Sequence, residues 1–364
     1  MDAIEKVRAV LESVKEPCFG HTLKELHVVR TGSSASGNGP NLEIRLGFPA
    51  DASFIQALRK AVSQALDQAG LAAVDVPVRW EVLAHRVKLG LKPLEGVKNI
   101  IAVSSAKGGV GKSTVAVSLA LALSRLGARI GLLDADVYGP SVPLLLDVHG
   151  KPFETDDKRM IPVTAGPLQV NSIGFFVGES DSLAWRGPMA SGAVRQLLEK
   201  TRWNRLDYLI VDMPPGTGDI PLTLVQSIPV TAALVVTTPQ KLACADAARG
   251  LQLFEKVGIP VLGIVENMAS FVCPECGHLH RLSASGQTEA LAERFAVPIV
   301  ASSPFTHKAD DLTYEGGRID DFDGQIDRAA RFLAQAVSRM PKDMSGVMPG
   351  ARVEGVVLPP KKAS

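Results

Sequence analysis

Cysteine is scarce in this chain, four residues in 364. Cys18 and Cys244 stand alone and two more form Cys273-Pro-Glu-Cys276. That is no disulfide framework for a chain of this size, and it points to a reducing compartment. Net charge is almost absent too, with 39 basic against 38 acidic side chains. No field of one sign would gather DNA, RNA or anionic lipid around the whole molecule, so partners have to be read locally. No segment approaches the apolar length that crosses a bilayer, and Met1-Asp-Ala-Ile-Glu lacks the basic region and apolar stretch of a secretory leader. A soluble, cytoplasmic protein with no membrane or nucleic-acid partner is expected. Short-period repeats are missing, and low complexity is confined to Ser33-Ser34-Ala35-Ser36-Gly37 and the C-terminal tail.

The length allows two domains, and the pattern divides accordingly. Ile4, Val7, Leu11 and Val14 share a helical face that ends at Glu16-Pro17. Strands follow at 26–31 and 42–48, then a helix over 53–69 with Phe54, Leu58, Ala61 and Ala65 on one face and Gly70 as its stop. A period-two strand, Val74, Val76, Val78, Trp80 and Val82, closes an α-β-β-α-β order over residues 1–84. Residues 85–98, with His85, Arg86, Lys88, Lys92 and Lys98, read as a solvated basic linker. From 99 to 339, short apolar runs at 100–104, 130–134, 208–212, 233–237, 261–265 and 298–301 are separated by longer segments. This predicts an α/β fold, a parallel sheet covered by helices on both faces. Val115, Val117, Leu119, Leu121 and Leu123 alternate with Ala and Ser as a strand would, yet the length and Gly127 favour a helix. The Pro- and Gly-rich stretch 340–364 reads as a disordered tail.

The chemistry centres on Ala106-Lys107-Gly108-Gly109-Val110-Gly111-Lys112-Ser113-Thr114, after a strand and before a helix. Glycines let the backbone turn its N–H groups onto a phosphate, and the helix N-terminus adds to the same anion site. Lys112 supplies a point charge for the terminal phosphates and Ser113 a hydroxyl for Mg²⁺, as in a P-loop, with Ala106 where a glycine is usual and Lys107 as a second lysine. Asp134 and Asp136 end one apolar strand and Asp212 another, at the sheet end where α/β proteins bind ligands. Asp136 suits an attacking water or a Mg²⁺-bound one, Asp212 is the second Mg²⁺ candidate, and Asp134 braces the cradle. Gly216 and Gly218 give the loop after Asp212 freedom to respond to nucleotide, while Asp219 either caps the next helix or takes part in catalysis.

Cys273 and Cys276 make half of a four-ligand site. A symmetric dimer would bring the other half, giving four thiolates around one bridging iron-sulfur cluster. His278 and His280 could instead complete a structural zinc site within one chain, and a redox pair is the third alternative.

Lys107-Gly-Gly-Val-Gly-Lys-Ser-Thr114 resembles the deviant Walker A ATPases, which include the nitrogenase iron protein and the septum-site and partitioning ATPases. The resemblance implies a homodimer closed by ATP, with Lys107 reaching the partner's nucleotide. With Leu132-Leu-Asp-Ala-Asp-Val-Tyr-Gly-Pro-Ser141, Trp185-Arg-Gly-Pro-Met189, Tyr208-Leu-Ile-Val-Asp-Met-Pro-Pro-Gly-Thr-Gly-Asp219, Val236-Thr-Thr-Pro-Gln240 and Gly263-Ile-Val-Glu-Asn-Met268, the chain is similar to the Mrp/ApbC family of iron-sulfur cluster carriers. That likeness implies an ATP hydrolase that holds a labile cluster, [4Fe-4S] in type, between two Cys273/Cys276 pairs and passes it between scaffold and apo-proteins. It also implies that Asn267 reads adenine. Residues 1–84 resemble the small MIP18-like domain often found on this family, although Phe48-Pro-Ala-Asp51 stands where that domain often carries a cysteine. Nucleotide state is expected to couple to exposure of the cluster. The alternative is a partitioning or septum-site ATPase with a zinc knuckle, which would want a basic patch or a basic amphipathic C-terminal helix.

Overall fold

The computed structural model describes residues 3–31, 42–71, 74–85, 91–176, 187–283, 286–305 and 323–342. A small α+β unit comes first: α1 (Ala3–Ser13), β1 (Val29–Thr31), β2 (Leu42–Leu46), α2 (Ala52–Gln68) and β3 (Val78–Trp80). Its sheet runs β1-β2-β3, the first pair antiparallel and the second parallel. Asp51 caps α2, its carboxylate accepting the Phe54 N–H at 2.9 Å. The buried stripe of α2 is Phe54, Leu58, Val62 and Leu66. Ala61 and Ala65, expected there, sit at its edge, because the larger side chains four apart fill the space over the sheet. The third strand keeps its predicted alternation, with Val76, Val78 and Val82 buried, but only three residues of it pair.

The larger unit runs β4 (Val97–Ser104), α3 (Lys112–Arg125), β5 (Ile130–Asp134), α4 (Val142–Leu145), β6 (Phe153–Glu154), β7 (Met160–Ile161), β8 (Val163–Ala165), β9 (Leu168–Ser172), α5 (Gly187–Lys200), β10 (Leu206–Asp212) and α6 (Asp219–Ser227). It continues β11 (Ala232–Thr237), α7 (Lys241–Val257), β12 (Val261–Glu266), β13 (Ser270–Val272), β14 (Leu279–Arg281), α8 (Gln287–Phe295), β15 (Ile299–Ser302) and α9 (Asp323–Arg339). Eight strands form one sheet in the order β15-β12-β11-β4-β10-β5-β9-β8, parallel throughout except that β8 runs against β9.

Both faces are apolar because successive residues of a strand feed opposite cores. Ile101 and Val103 join α3 and α9, whereas Ile100 and Ala102 join α5, α6 and α7. The segment 115–123 is helical as expected and almost wholly buried, so its strand-like alternation carries no information about one wet face. The N-terminal unit shares the first of these cores. It is tied to α9 by an Asp51–Arg331 ion pair and by Phe19 edge-on to Phe332, with ring centroids 5.9 Å apart.

The predicted linker is tighter than a solvated tether at one residue. His85 is buried, its Nδ1 3.0 Å from Asn99 Oδ1 on β4, since the chain entering the sheet must pack over its own first strand. The tail beyond residue 342, the Ser33–Gly37 stretch and Trp185-Arg186 lie outside the described residues.

Gly96 immediately precedes β4, the strand that leads into the glycine-rich loop. Its φ is +76°, and an added Cβ would stand 2.1 Å from the Trp203 carbonyl oxygen. Gly70 has a similar φ of +72° with open space around it. Gly96→Ala is expected to destabilise by about 2–4 kcal/mol and Gly70→Ala by about 1 kcal/mol. Equal thermal unfolding midpoints for the two variants would refute the steric account.

Candidate functional site

The site lies at the C-terminal end of the parallel sheet, where β4, β5 and β10 end side by side and aligned backbone leaves loops free to hold ligands. The loop from Ser105 to Gly111 leads directly into α3. Gly109 and Gly111 have φ of +80° and +82°, a region any larger residue enters at a penalty, and this turns the loop back over the helix N-terminus. Lys107, Gly108 and Gly109 are exposed, Val110 and Lys112 buried, and Ala106, Ser113 and Thr114 intermediate. Lys107 therefore stands outside the cradle while Lys112 lies in it.

Lys112 Nζ donates to Asp212 Oδ1 at 2.6 Å, lies 3.6 Å from Asp136 Oδ2 and is 3.3 Å from its neighbour's Ser113 Oγ. The second oxygen, Asp212 Oδ2, is buried without a hydrogen-bond partner among the described residues. A buried carboxylate oxygen of this kind, beside a hydroxyl, fits a hard cation or a water bound to one. Burial pushes the Asp212 carboxyl above its usual range, and Lys112 opposes the shift.

Asp134 makes its hydrogen bonds to the neighbouring loop and strand. It accepts the Asp136 N–H at 3.1 Å on one oxygen, and the Val142 N–H at 3.1 Å and Ser172 Oγ–H at 3.0 Å on the other. Asp136 in turn accepts the Tyr138 N–H at 3.2 Å. Burial, and then the nearby Asp212 carboxylate, push Asp134 up to about 7. Ser172, at the end of β9, went unread in the sequence; the alternating Leu168, Val170 and Ser172 of that short strand was the available signal. On the other flank Gly216 N–H donates to the Ser105 carbonyl at 2.8 Å, joining the loop after Asp212 to the cradle. Asp219 is exposed as the first residue of α6, and Gly218 rather than Asp219 occupies the cap position.

Asn267 follows β12 and is buried against the cradle, its Nδ2–H donating to the Val110 carbonyl at 3.0 Å. The cysteine pair stands apart from the carboxylates, at the tip of the antiparallel hairpin of β13 and β14. Cys273 N–H donates to the His278 carbonyl and Gly277 N–H to the Cys273 carbonyl, both at 2.9 Å, which closes a tight knuckle. Backbone N–H groups of Cys276 and Glu275, then the Cys276 thiol, hold the Cys273 thiol below its ordinary range. Cys273 is partly exposed and Cys276 exposed. His278 and His280 pack edge to face with centroids 4.6 Å apart, and among the described residues no three His, Cys, Asp or Glu side chains gather to hold a metal. The knuckle thus presents two thiols and remains half a ligand set. Cys18 is exposed in the turn after α1, and Cys244 is buried with its thiol toward the Thr238 carbonyl.

Comparison with known proteins agrees with this geometry. Residues 96–338 match the family described as ParA: NUBPL iron-transfer P-loop NTPase. The iron-sulfur cluster carrier protein of Haemophilus influenzae is 47% identical over 310 residues, covering 83% of this chain and 82% of that one. That of Escherichia coli K12 is 43% identical over 302 residues, covering 82% and 81%. Among solved structures, a nucleotide-binding protein from Archaeoglobus fulgidus in complex with ADP, with Co found in it, is 34% identical with a TM-score of 0.53, covering 65% of this chain and 90% of that one.

Asp134 gives the site a pH signature. Its folded value of about 7 lies above the 3.8 of the unfolded group, so the folded chain keeps a proton that the unfolded chain releases. The stability this contributes is complete at the acid end and is lost as pH rises through about 7. Asp134→Asn stays neutral, so in nucleotide-free protein its stability relative to wild type should climb by up to about 1.4 kcal/mol per pH unit on approach to neutrality. Parallel denaturation profiles of the two proteins between about pH 4 and 7 would show that the folded chain holds no extra proton on Asp134.

Proposed function

The chain belongs to the NUBPL-type iron-transfer family of P-loop NTPases, and from that premise we propose that it is an ATP-hydrolysing carrier that holds an iron-sulfur cluster between two copies of itself and delivers it to apo-proteins. The observation that carries this reading is a two-thiol knuckle on a separate hairpin that follows β12, a strand of the sheet that carries the phosphate cradle. Its donor set becomes complete when a second chain supplies its own Cys273 and Cys276. A labile [4Fe-4S] cargo fits such a site, because exposed thiols at a knuckle tip are open to a scaffold on loading and to an apo-protein on delivery. The cytosol, where thiols stay reduced, is the matching compartment. Among the described residues no helix is long and apolar enough to cross a membrane.

In the free state Lys112 is neutralised by Asp212 and Asp136. The phosphates of ATP replace them, received by the N–H groups of 108–112 and by Lys112, with Ser113 and Thr114 at the helix start. Ser113 and Asp212, with Asp136 through water, are the residues that would hold Mg²⁺, whose charge offsets that of the β- and γ-phosphates. Asp136 orients the attacking water and accepts its proton, and exposed Lys107 is free to reach the nucleotide of the second copy. Asn267 braces the cradle through Val110 and is available to the base edge. A partitioning-type ATPase with a zinc knuckle is the other reading, and the failure of His278 and His280 to gather with the cysteines weighs against it.

Anaerobic reconstitution tests the cargo. Iron and sulfide of about four each per dimer are expected, with a visible chromophore that Cys273→Ala/Cys276→Ala abolishes. Zinc at about one per chain without iron would make the knuckle structural. Lys112→Ala should lose ATP turnover by at least about a hundredfold while still assembling a cluster. Undiminished delivery of cluster by that variant, with ATP present, would separate turnover from transfer.

A further inference from the structure

We infer that Asn267 and Met268 form the link through which the filled or empty phosphate cradle sets the state of the cysteine hairpin. The inference rests on the carrier reading for what the hairpin holds, but the link itself is argued from contacts that need no cluster.

The cradle side of the link is a single buried hydrogen bond. Asn267 Nδ2–H donates to the carbonyl of Val110 at 3.0 Å, and both residues are almost fully buried, at 5% and 4% exposure. A phosphate nest turns its N–H groups inward, so its carbonyls face the protein; Asn267 grips the loop from this outer side and leaves the cradle open. The grip is close. A Cβ on Gly111 would lie 2.2 Å from Asn267 Nδ2 and 3.9 Å from Met268 Cε, so the residues after β12 press on the loop where only hydrogen fits. Val110 lies between two glycines at φ +80° and +82°, which makes its peptide the part of the loop most free to turn when phosphate enters.

The hairpin side is a ladder. Ala269 N–H donates to the Ser303 carbonyl at 2.9 Å, Leu282 N–H to the Ala269 carbonyl at 3.0 Å and Phe305 N–H to the Ser270 carbonyl at 2.6 Å. From there β13 pairs with β14 residue by residue up to Val272, next to Cys273. A segment pinned this way shifts as one body. Asn267's own N–H is fixed to the Thr237 carbonyl at 2.8 Å, so a change in its side chain is taken up on the C-terminal side, at Met268. Met268 has φ +54°, a conformation a non-glycine residue keeps only when its surroundings impose it, and it separates the grip from the ladder. Six residue steps separate Asn267 from Cys273, at most about 20 Å of extended chain. Linkage then requires the coupling to run both ways, so that cargo on the hairpin alters nucleotide affinity.

Hydrogen exchange on the full chain, free of iron, zinc and cluster, tests the link. The amides of Cys273 and Gly277 report the knuckle, compared with and without saturating Mg-ADP, with ADP occupancy verified by calorimetry for each protein. In wild type ADP is expected to change their exchange by about fivefold or more. In Asn267→Ala with ADP bound the change should fall below about twofold. A purely structural Asn267 would move exchange equally with and without nucleotide. Met268→Gly keeps the Val110 bond and removes the constrained pivot; it should also lose the response, and it decides the matter if Asn267→Ala fails to fold or to bind ADP. A wild-type hairpin indifferent to bound ADP, or a variant that keeps the full response, overturns the link. Because no cluster is present, a failure to load iron and sulfide would leave this result standing, and loss of the link would leave the carrier reading intact.

Discussion

Lys112 is a cation with 6% of its surface exposed, and such a charge stays buried only while something anionic stands beside it. In the nucleotide-free chain Asp212, at 2.6 Å, and Asp136, at 3.6 Å, fill that role. On the proposed function, phosphate would compete for the same ammonium. The site therefore has two charge-balanced arrangements, one with the lysine on the carboxylates and one with it on the ligand. Release of Asp212 in the second arrangement frees a carboxylate that already has one oxygen without a partner. The electrostatics of burial, more than any loop's intrinsic flexibility, make the pocket bistable.

That bistability is useful only if the surroundings hold still, and Asp134 supplies the fixed point. Three donors from β9 and from the loop after β5 converge on one carboxyl, tying Asp136, α4's entry and the neighbouring strand together. Burial, and then the neighbouring Asp212 carboxylate, raise the Asp134 carboxyl well above its usual range, which lightens the negative charge of the crowded cluster. The two neighbouring aspartates thus differ by environment. One is spent on architecture, and the other, within reach of Lys112, is left for the ligand.

Much of this was legible in the sequence, and what was lost has physical reasons. Six strands of the sheet were visible as apolar runs because a parallel strand buried on both faces cannot alternate. β9 was invisible because it lies near the sheet margin with Gln169 and Asn171 interrupting it, and its terminal Ser172 went unnoticed with it. That Lys112, Asp136 and Asp212 meet was readable from spacing, since loops that follow neighbouring strands of one parallel sheet gather at the same end. Asn267 was read for its place after β12, yet its contact with Val110 spans 157 positions, a distance over which a single sequence carries no pattern. His85 was mistaken for solvated because its neighbours in sequence are basic, whereas its neighbours in space are Asn99 and the start of the sheet.

The placement of the cysteines follows from the same economy. A site meant to keep its metal would gather its ligands within one chain, where closing the set adds to folding stability. Here the two thiols stand at the tip of a hairpin, Cys276 exposed and Cys273 partly so, with backbone N–H groups already directed at Cys273 to favour the thiolate. On the carrier reading proposed above, half a ligand set on each of two chains would bind only as tightly as the chains associate. Its affinity is then adjustable through whatever governs that association and the attitude of the hairpin. Through the proposed link, a cradle whose outer carbonyl is gripped by the residue leading into that hairpin would put the adjustment within reach of the nucleotide.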